Sequence, residues 1–324
     1  KRQWGTNGNG QLGTGNTSSS STPAWAGQAG SIYGESLIAL AAASLTSVAL
    51  TTDGRVYTWG AGTSGQLGNG GLADSAYPVL VGGLLQGKMV SAIATGNSTV
   101  YALTVDGALY AWGVGSNGEL GNGSTSTATL PVLVGGALTG KRVVALRAGA
   151  NHAIALASDG QIYAWGLNTS GQLGNNSLVS ASSPQTVSGL SLRTVVSIAA
   201  SGNNSMALTS DGEVYAWGLN SSGQIGDGTL ANRSLPTLVQ MPAAYATLKL
   251  NALAMIGATA YAWNSGSLLI TGQPLSVSAK IGDPASLSVD LANPAGAPVA
   301  FQWKRRSGTS PNYTYQSLAG ATKP

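Results

Sequence analysis

One histidine, His152, and no cysteine occur in the 324 residues. A two-histidine metal centre, a thiolate zinc site, a thiol nucleophile and any disulfide are thereby excluded. A single imidazole is left for proton transfer near neutral pH. Neither it nor the acids form a catalytic set. Asp211 and Glu213 lie close in sequence but flank a turn, and no second acid is placed to face them across a substrate. Gly60-Ala61-Gly62-Thr63-Ser64-Gly65 and Gly113-Val114-Gly115-Ser116-Asn117-Gly118 spell G-x-G-x-x-G. A phosphate cradle of that kind needs a helix to open at its last glycine. Here Gln-Leu-Gly or Glu-Leu-Gly and a Ser/Thr-rich loop follow instead, and Asn168 or Asn220 replaces the middle glycine elsewhere. No enzyme activity, cofactor or metal is expected.

The elements around these residues repeat. Trp-Gly occurs at Trp4, Trp59, Trp112, Trp165 and Trp217, with spacings of 55, 53, 53 and 52 residues. That period is close to a propeller blade and too long for an ankyrin or tetratricopeptide unit. Asp53-Gly54, Asp106-Gly107, Asp159-Gly160 and Asp211-Gly212 each separate two short apolar runs, the strongest local mark of a β-hairpin. Their carboxylates are expected to bond local backbone amides. After each Trp-Gly a second frame places Leu12, Leu67, Leu120, Leu173 or Ile225 between two glycines. The aliphatic side chain anchors a loop whose glycines permit positive φ and close backbone approach. The tryptophans are expected to fill the space between neighbouring units. His152 sits seven residues before Asp159, where other units carry Thr46, Thr99 and Asn204, and it is expected to pack and hydrogen-bond.

The pattern Asp-Gly-x-x-Tyr-x-Trp-Gly-x-x-x-x-Gly-Gln-Leu-Gly, clearest at Asp159–Gly174, resembles the regulator of chromosome condensation repeat. The resemblance implies an all-β propeller of four-stranded blades, usually seven. Six Trp-centred units are read over residues 1–270, the last being the degenerate Ala260-Tyr261-Ala262-Trp263-Asn264. Residues 271–324 change texture. Leu287, Val289 and Leu291 alternate with polar residues, and Val299, Phe301 and Trp303 share a strand face. This tail resembles the opening of a bacterial immunoglobulin-like sandwich, with Trp303 at the buried strand tryptophan. The sandwich is incomplete and the first unit lacks its hairpin, so the chain is expected to be cut at both ends.

Composition bounds the partners. Charged residues make up 8% of the chain, and the computed pI is 9.3. Residues 1–270 carry ten Lys/Arg and nine Asp/Glu, while residues 271–324 carry five and two. The basic excess is thus mostly the run Lys304, Arg305, Arg306, too short to track a nucleic acid. The apolar stretch Leu37–Leu50 is interrupted by Ser44, Thr46 and Ser47 and does not reach a membrane span. A neutral hydroxyl-and-amide surface without cysteine favours an exported or cell-surface bacterial protein. Its expected work is binding a protein, assembling with itself, or contacting a glycan. Loops at Gly71–Tyr77, Ser124–Leu130, Ser177–Ser183 and Thr229–Leu235 are the natural contact candidates, and their content suggests polar contacts. The resemblance brings rivals: a secreted β-lactamase inhibitor, an exchange factor for a small GTPase, and a repeat lectin. Asn97, Asn168, Asn220 and Asn232 open glycosylation-type triplets that chance supplies in a chain so rich in Asn, Ser and Thr.

Overall fold

Short apolar runs punctuated by Asp-Gly and Gly-Asn turns fold here as antiparallel hairpins. The computed structural model describes residues 2–26, 32–243 and 249–263, with four further short strands at 269–272, 290–292, 304–307 and 314–317. Two compact units are present, Lys1–Trp263 and Asn264–Pro324. The first opens with a two-stranded sheet, β1 (Arg2–Gly5) and β2 (Ser20–Trp25). Four four-stranded antiparallel sheets follow: β3 (Leu37–Ala42) to β6 (Ser75–Leu80) with β4 (Thr46–Thr51) and β5 (Val56–Gly60) between, and then β7 (Val90–Thr95), β8 (Thr99–Thr104), β9 (Leu109–Gly113) and β10 (Ala128–Leu133). The third is β11 (Val143–Ala148), β12 (His152–Ala157), β13 (Ile162–Gly166) and β14 (Ala181–Thr186), and the fourth is β15 (Val195–Ser201), β16 (Asn204–Thr209), β17 (Val214–Gly218) and β18 (Arg233–Leu238). A last pair, β19 (Ala252–Ile256) and β20 (Thr259–Trp263), ends the unit.

Each sheet is a blade whose strands run in sequence order. Second and third strands are buried along nearly their whole length, because neighbouring blades cover both faces. Burial on both faces explains their near-continuous apolar runs with alanines at Ala49, Ala102, Ala155 and Ala207. The outer strand is an edge, and Pro23, Pro78, Pro131, Pro184 and Pro236 hold the same place in β2, β6, β10, β14 and β18. Proline lacks the amide that would recruit another strand, so the edge is blunted.

Register shows what the two terminal sheets are. Trp59, Trp112, Trp165 and Trp217 of the third strands face Ser47, Val100, Ala153 and Ser205 of the second strands. β1 carries Trp4-Gly5, so β1 and β2 are the third and fourth strands of a blade. β19 and β20 are a first and second strand: they turn at Gly257 (φ +59°) as β15 and β16 turn at Gly202 (φ +52°). This corrects the expectation of a sixth Trp-centred unit. Trp263 stands opposite Ala252 on a second strand and is not the equivalent of the Trp-Gly tryptophans.

In the second unit β21 (Leu269–Gly272) pairs with β22 (Asp290–Ala292), and β23 (Lys304–Ser307) with β24 (Thr314–Ser317), both antiparallel. Val299, Phe301 and Trp303, which carry the immunoglobulin-like expectation, lie outside the described residues, as do Leu287 and Val289.

Candidate functional site: a stapled loop rim

The indoles form a directional ladder. Trp59 Nε1 donates to the carbonyl of Gln11 at 2.8 Å, Trp112 to Gln66 at 3.1 Å, Trp165 to Glu119 at 2.8 Å and Trp217 to Gln172 at 2.9 Å. Each blade thus reads the loop frame of the blade before it. Leu12, Leu67, Leu120, Leu173 and Ile225 are buried in those frames. At Gly68 the backbone has φ +63°, and a β-carbon would lie 2.6 Å from the Trp112 indole nitrogen. A glycine is required there on both counts. A second inter-blade bond runs from Gly15, Gly70, Gly123 and Asn176 amides to the outer-strand carbonyls of Ala76, Thr129, Ser182 and Ser234 at 2.8–2.9 Å. Trp4 departs from the set. It is 62% exposed.

Above this ladder the loops between third and fourth strands are fastened at their bases. Asn168 accepts from the Leu173 amide at 2.9 Å and donates to the Ser177 and Val179 carbonyls at 2.9 and 3.1 Å. Asn220 repeats this with Ile225, Thr229 and Ala231 at 2.9, 2.9 and 3.0 Å, and Asn7 with Leu12, Asn16 and Ser18 at 2.8, 2.9 and 3.0 Å. These asparagines are the residues that sequence reasoning missed. Their replacement of a glycine in the G-x-G stretch was the available sign. In the two remaining blades Gly62 and Gly115 let the loop backbone close in: a β-carbon on Gly62 would sit 2.1 Å from the Ala73 carbonyl oxygen. Asp74 then takes the stapling role by accepting from the Gly62 amide at 2.9 Å. Asn168 and Asn220 are fully buried with their amides engaged, so neither can carry a glycan in the folded chain, whereas Asn97 and Asn232 are exposed.

The rim so fixed is less polar than its composition suggests. Leu72, Leu178, Val179 and Leu230 stand exposed on the loops, Val179 at 73%, with Tyr77, Leu130 and Leu235 exposed just after them. A loop whose base is buried and hydrogen-bonded has no inward route for its middle residue, so the apolar tip faces water.

Charge collects at the opposite end, on the Asp-Gly turns. Thr51 holds the Asp53 carboxylate below the usual range, Thr104 does so for Asp106, and Thr209 for Asp211. Lys141, 2.7 Å away, lowers Asp159. The Ala108 and Gln161 amides donate to Asp106 and Asp159 at 3.3 and 3.1 Å. Arg193 reaches both Asp211 and Glu213, at 3.0 and 2.7 Å. All four acids shape turns, and Asp53, Asp159 and Asp211 are also paired with a cation. Among the described residues no three acid or imidazole groups gather as a metal site.

His152 is buried at the start of β12, its Nε2 2.9 Å from Ser205 Oγ of the next blade. Ser205 donates to the Gln172 carbonyl at 3.0 Å, so the imidazole nitrogen is the donor in this pair. Burial pushes the His152 pKa down to about 4, against a smaller opposing effect of the Asn204 backbone. The ring is neutral, inside the protein and joined to a neighbouring blade.

Comparison with known proteins agrees with this geometry. The family model described as RCC1-like domain matches residues 2–284. The E3 ubiquitin-protein ligase HERC2 of Mus musculus is 34% identical over 236 residues, 72% of this chain and 5% of that protein. The ultraviolet-B receptor UVR8 of Arabidopsis thaliana is 33% identical over 239 residues, 74% of this chain and 53% of that protein. The chain therefore spans about half of one of these relatives and a small part of the other. Among solved structures, human WBSCR16 superposes with a TM-score of 0.65 at 26% identity over 78% of this chain and 64% of that one. Yeast RCC1 (Prp20), crystallised with Kap60, gives 0.64 at 24% over 78% and 61%. With the Trp-Gly ladder, the Gln-Leu-Gly frames and the repeated four-stranded blades all in place, the chain belongs to the RCC1-like domain family of β-propellers.

Proposed function

We propose that this chain is a non-enzymatic protein-binding propeller whose contact surface is the stapled loop rim. The observation that carries the reading is the set of exposed apolar tips, Leu72, Leu178, Val179 and Leu230, on loops whose bases are locked by Asn168, Asn220 and Asp74. Loops held in one conformation lose little entropy on binding, and apolar tips supply the area that contact needs. A protein partner fits this surface better than a glycan, since a lectin site pairs an aromatic platform with fixed polar groups. One relative is an E3 ubiquitin-protein ligase and another an ultraviolet-B receptor, and Prp20 is bound by Kap60; these are properties of those proteins. They support binding as the general use of the fold. The low charge and the missing cysteine favour display outside a bacterial cell, in a larger protein with an immunoglobulin-like module after about residue 270.

The test is site-specific photocrosslinking in the native host. A photoreactive residue at Leu72, Leu178 or Leu230 should capture a discrete protein partner. The same residue at the exposed Ser158, on the charged end, should not. Capture only from Ser158, or from neither end, would sink the rim as the contact surface, and a partner found in the cytoplasm would sink the export reading.

A further inference from the structure

An asparagine followed by glycine is the step at which a chain most readily attacks itself, because the glycine nitrogen reaches the preceding side chain without steric hindrance. Five such steps occur, opening at Asn7, Asn9, Asn69, Asn117 and Asn122. Three are tied down through the side-chain amide. Asn7 Nδ2 donates to the Asn16 and Ser18 carbonyls, Asn9 Nδ2 to Asp74 at 2.8 Å, and Asn117 Nδ2 to Glu119 at 2.7 Å. Asn69 and Asn122 differ. Both are exposed, and neither donates from Nδ2 to any group among the described residues. Each Oδ1 accepts from an amide two residues on, Gly71 at 2.9 Å and Ser124 at 3.0 Å. That bond polarises the carboxamide carbon, while the amino group stays free to depart as ammonia. The nucleophile is what is held back. The Gly70 amide donates to the Thr129 carbonyl of the next blade at 2.9 Å, and the Gly123 amide to Ser182 at 2.8 Å.

We propose that Asn69 and Asn122 are sites of spontaneous deamidation, each gated by opening of the seam between its blade and the next. In the closed seam the glycine N–H is spent on the neighbouring blade and shielded from base. Once the seam opens, the glycine nitrogen bonds to the asparagine Cγ and the bond from Cγ to the side-chain nitrogen breaks. The proton lost by the glycine passes through water to the departing group, which leaves as ammonia, and a cyclic succinimide remains. Water opens that ring at either carbonyl to give aspartate or isoaspartate. The structure shows how each product is received. Asp227 follows Gly226 as Asn69 follows Gly68, and Arg233 pairs with it at 2.5 Å. Arg233 faces the glycine of Trp-Gly, and the residues at that place in the two earlier blades are Ser75 and Ala128. No cation therefore waits at that place for a carboxylate at 69 or 122. Isoaspartate also lengthens the backbone by one carbon, which moves the Gly70 amide off Thr129 and keeps open the seam that admitted the reaction. The inference does not depend on the rim being a contact surface.

The test follows amide-to-acid conversion by peptide mass spectrometry in the full 324-residue protein, aged in mildly alkaline buffer with and without urea. In urea all five steps should react at comparable rates. In the folded chain Asn69 and Asn122 should react about tenfold or more slowly than in urea, because the reaction waits for local opening, and Asn7, Asn9 and Asn117 more slowly again. Trp112→Phe keeps a ring but loses the bond to Gln66 across the same seam as Gly70, so it should speed Asn69 by about threefold or more and leave Asn122 unchanged. Trp165→Phe, which loses the bond to Glu119, should do the reverse. If either variant fails to fold, hydrogen exchange of the parent decides: the Gly70 and Gly123 amides should exchange through an opening more frequent than global unfolding. Any of five results overturns the proposal. They are folded-state rates equal to those in urea, no conversion at Asn69 or Asn122 in the folded chain, reaction at Asn117 as fast as at Asn69, acceleration of both sites by one variant, or exchange of Gly70 only on global unfolding.

Discussion

His152 makes acid sensitivity a property of one side chain. Its pKa in the folded chain is about 4, against 6.5 for the free group, and burial is the main cause. Between those values the unfolded chain takes up a proton that the folded chain refuses. Stability is therefore complete above about pH 6.5 and declines as pH falls toward 4. Replacement by the residue that other blades use, His152→Thr, should remove roughly 2–3 kcal/mol of that pH dependence, read from urea midpoints at pH 7 and pH 4.5. Asp227 titrates lower still. Burial raises its pKa, but the Thr229 hydroxyl and amide and Arg233 at 2.5 Å outweigh that and bring it down to about 2. A depressed carboxylate stabilises the fold above its unfolded value and ceases to as pH drops from about 4 to 2. Asp227→Asn should cost about 1–2 kcal/mol at pH 7 and almost nothing at pH 2. The sequence identified His152 as a packed residue but was silent on Asp227, because its partners Thr229 and Arg233 come together only when the loop folds back.

At the scale of strands and loops, the ladder predicts unequal tryptophans. Trp112→Ala should destabilise by about 3–5 kcal/mol, because a fully buried ring and its bond to Gln66 are both lost. Trp4→Ala should change the stability of the isolated chain by under about 0.5 kcal/mol, as for other exposed positions. Thermal or denaturant melts of the two variants distinguish them. Gly68→Ala should approach the Trp112→Ala loss, since the new β-carbon meets the indole and φ is positive. The Asp-Gly hairpins and Gln-Leu-Gly frames were legible in the sequence because their chemistry is local. The identity of Trp263 was not. Its second-strand position depends on which strand pairs with β20, and a Tyr-Ala-Trp string reads alike on either strand. The exposed loop tips were hidden by composition, since one Leu among Ser, Thr and Gly does not look like a surface until the loop base is fixed.

On the scale of the whole molecule, the two compact units should unfold separately. Calorimetry is expected to show two transitions, with the larger enthalpy belonging to Lys1–Trp263, and a single cooperative peak would contradict it. The four-stranded sheets were implied by the period and by the family resemblance, whereas the strand positions of β1–β2 and of β19–β20 within their blades required register. The ladder also bears on how such a chain can change length. Each unit brings one indole and one acceptor carbonyl, and each indole is spent on the unit before it. Duplicating or deleting a whole unit therefore leaves every internal donor matched and alters nothing at the two ends. Gain or loss of 52–55 residues at a time is a step this architecture tolerates, while a deletion of half that size strands a tryptophan in water.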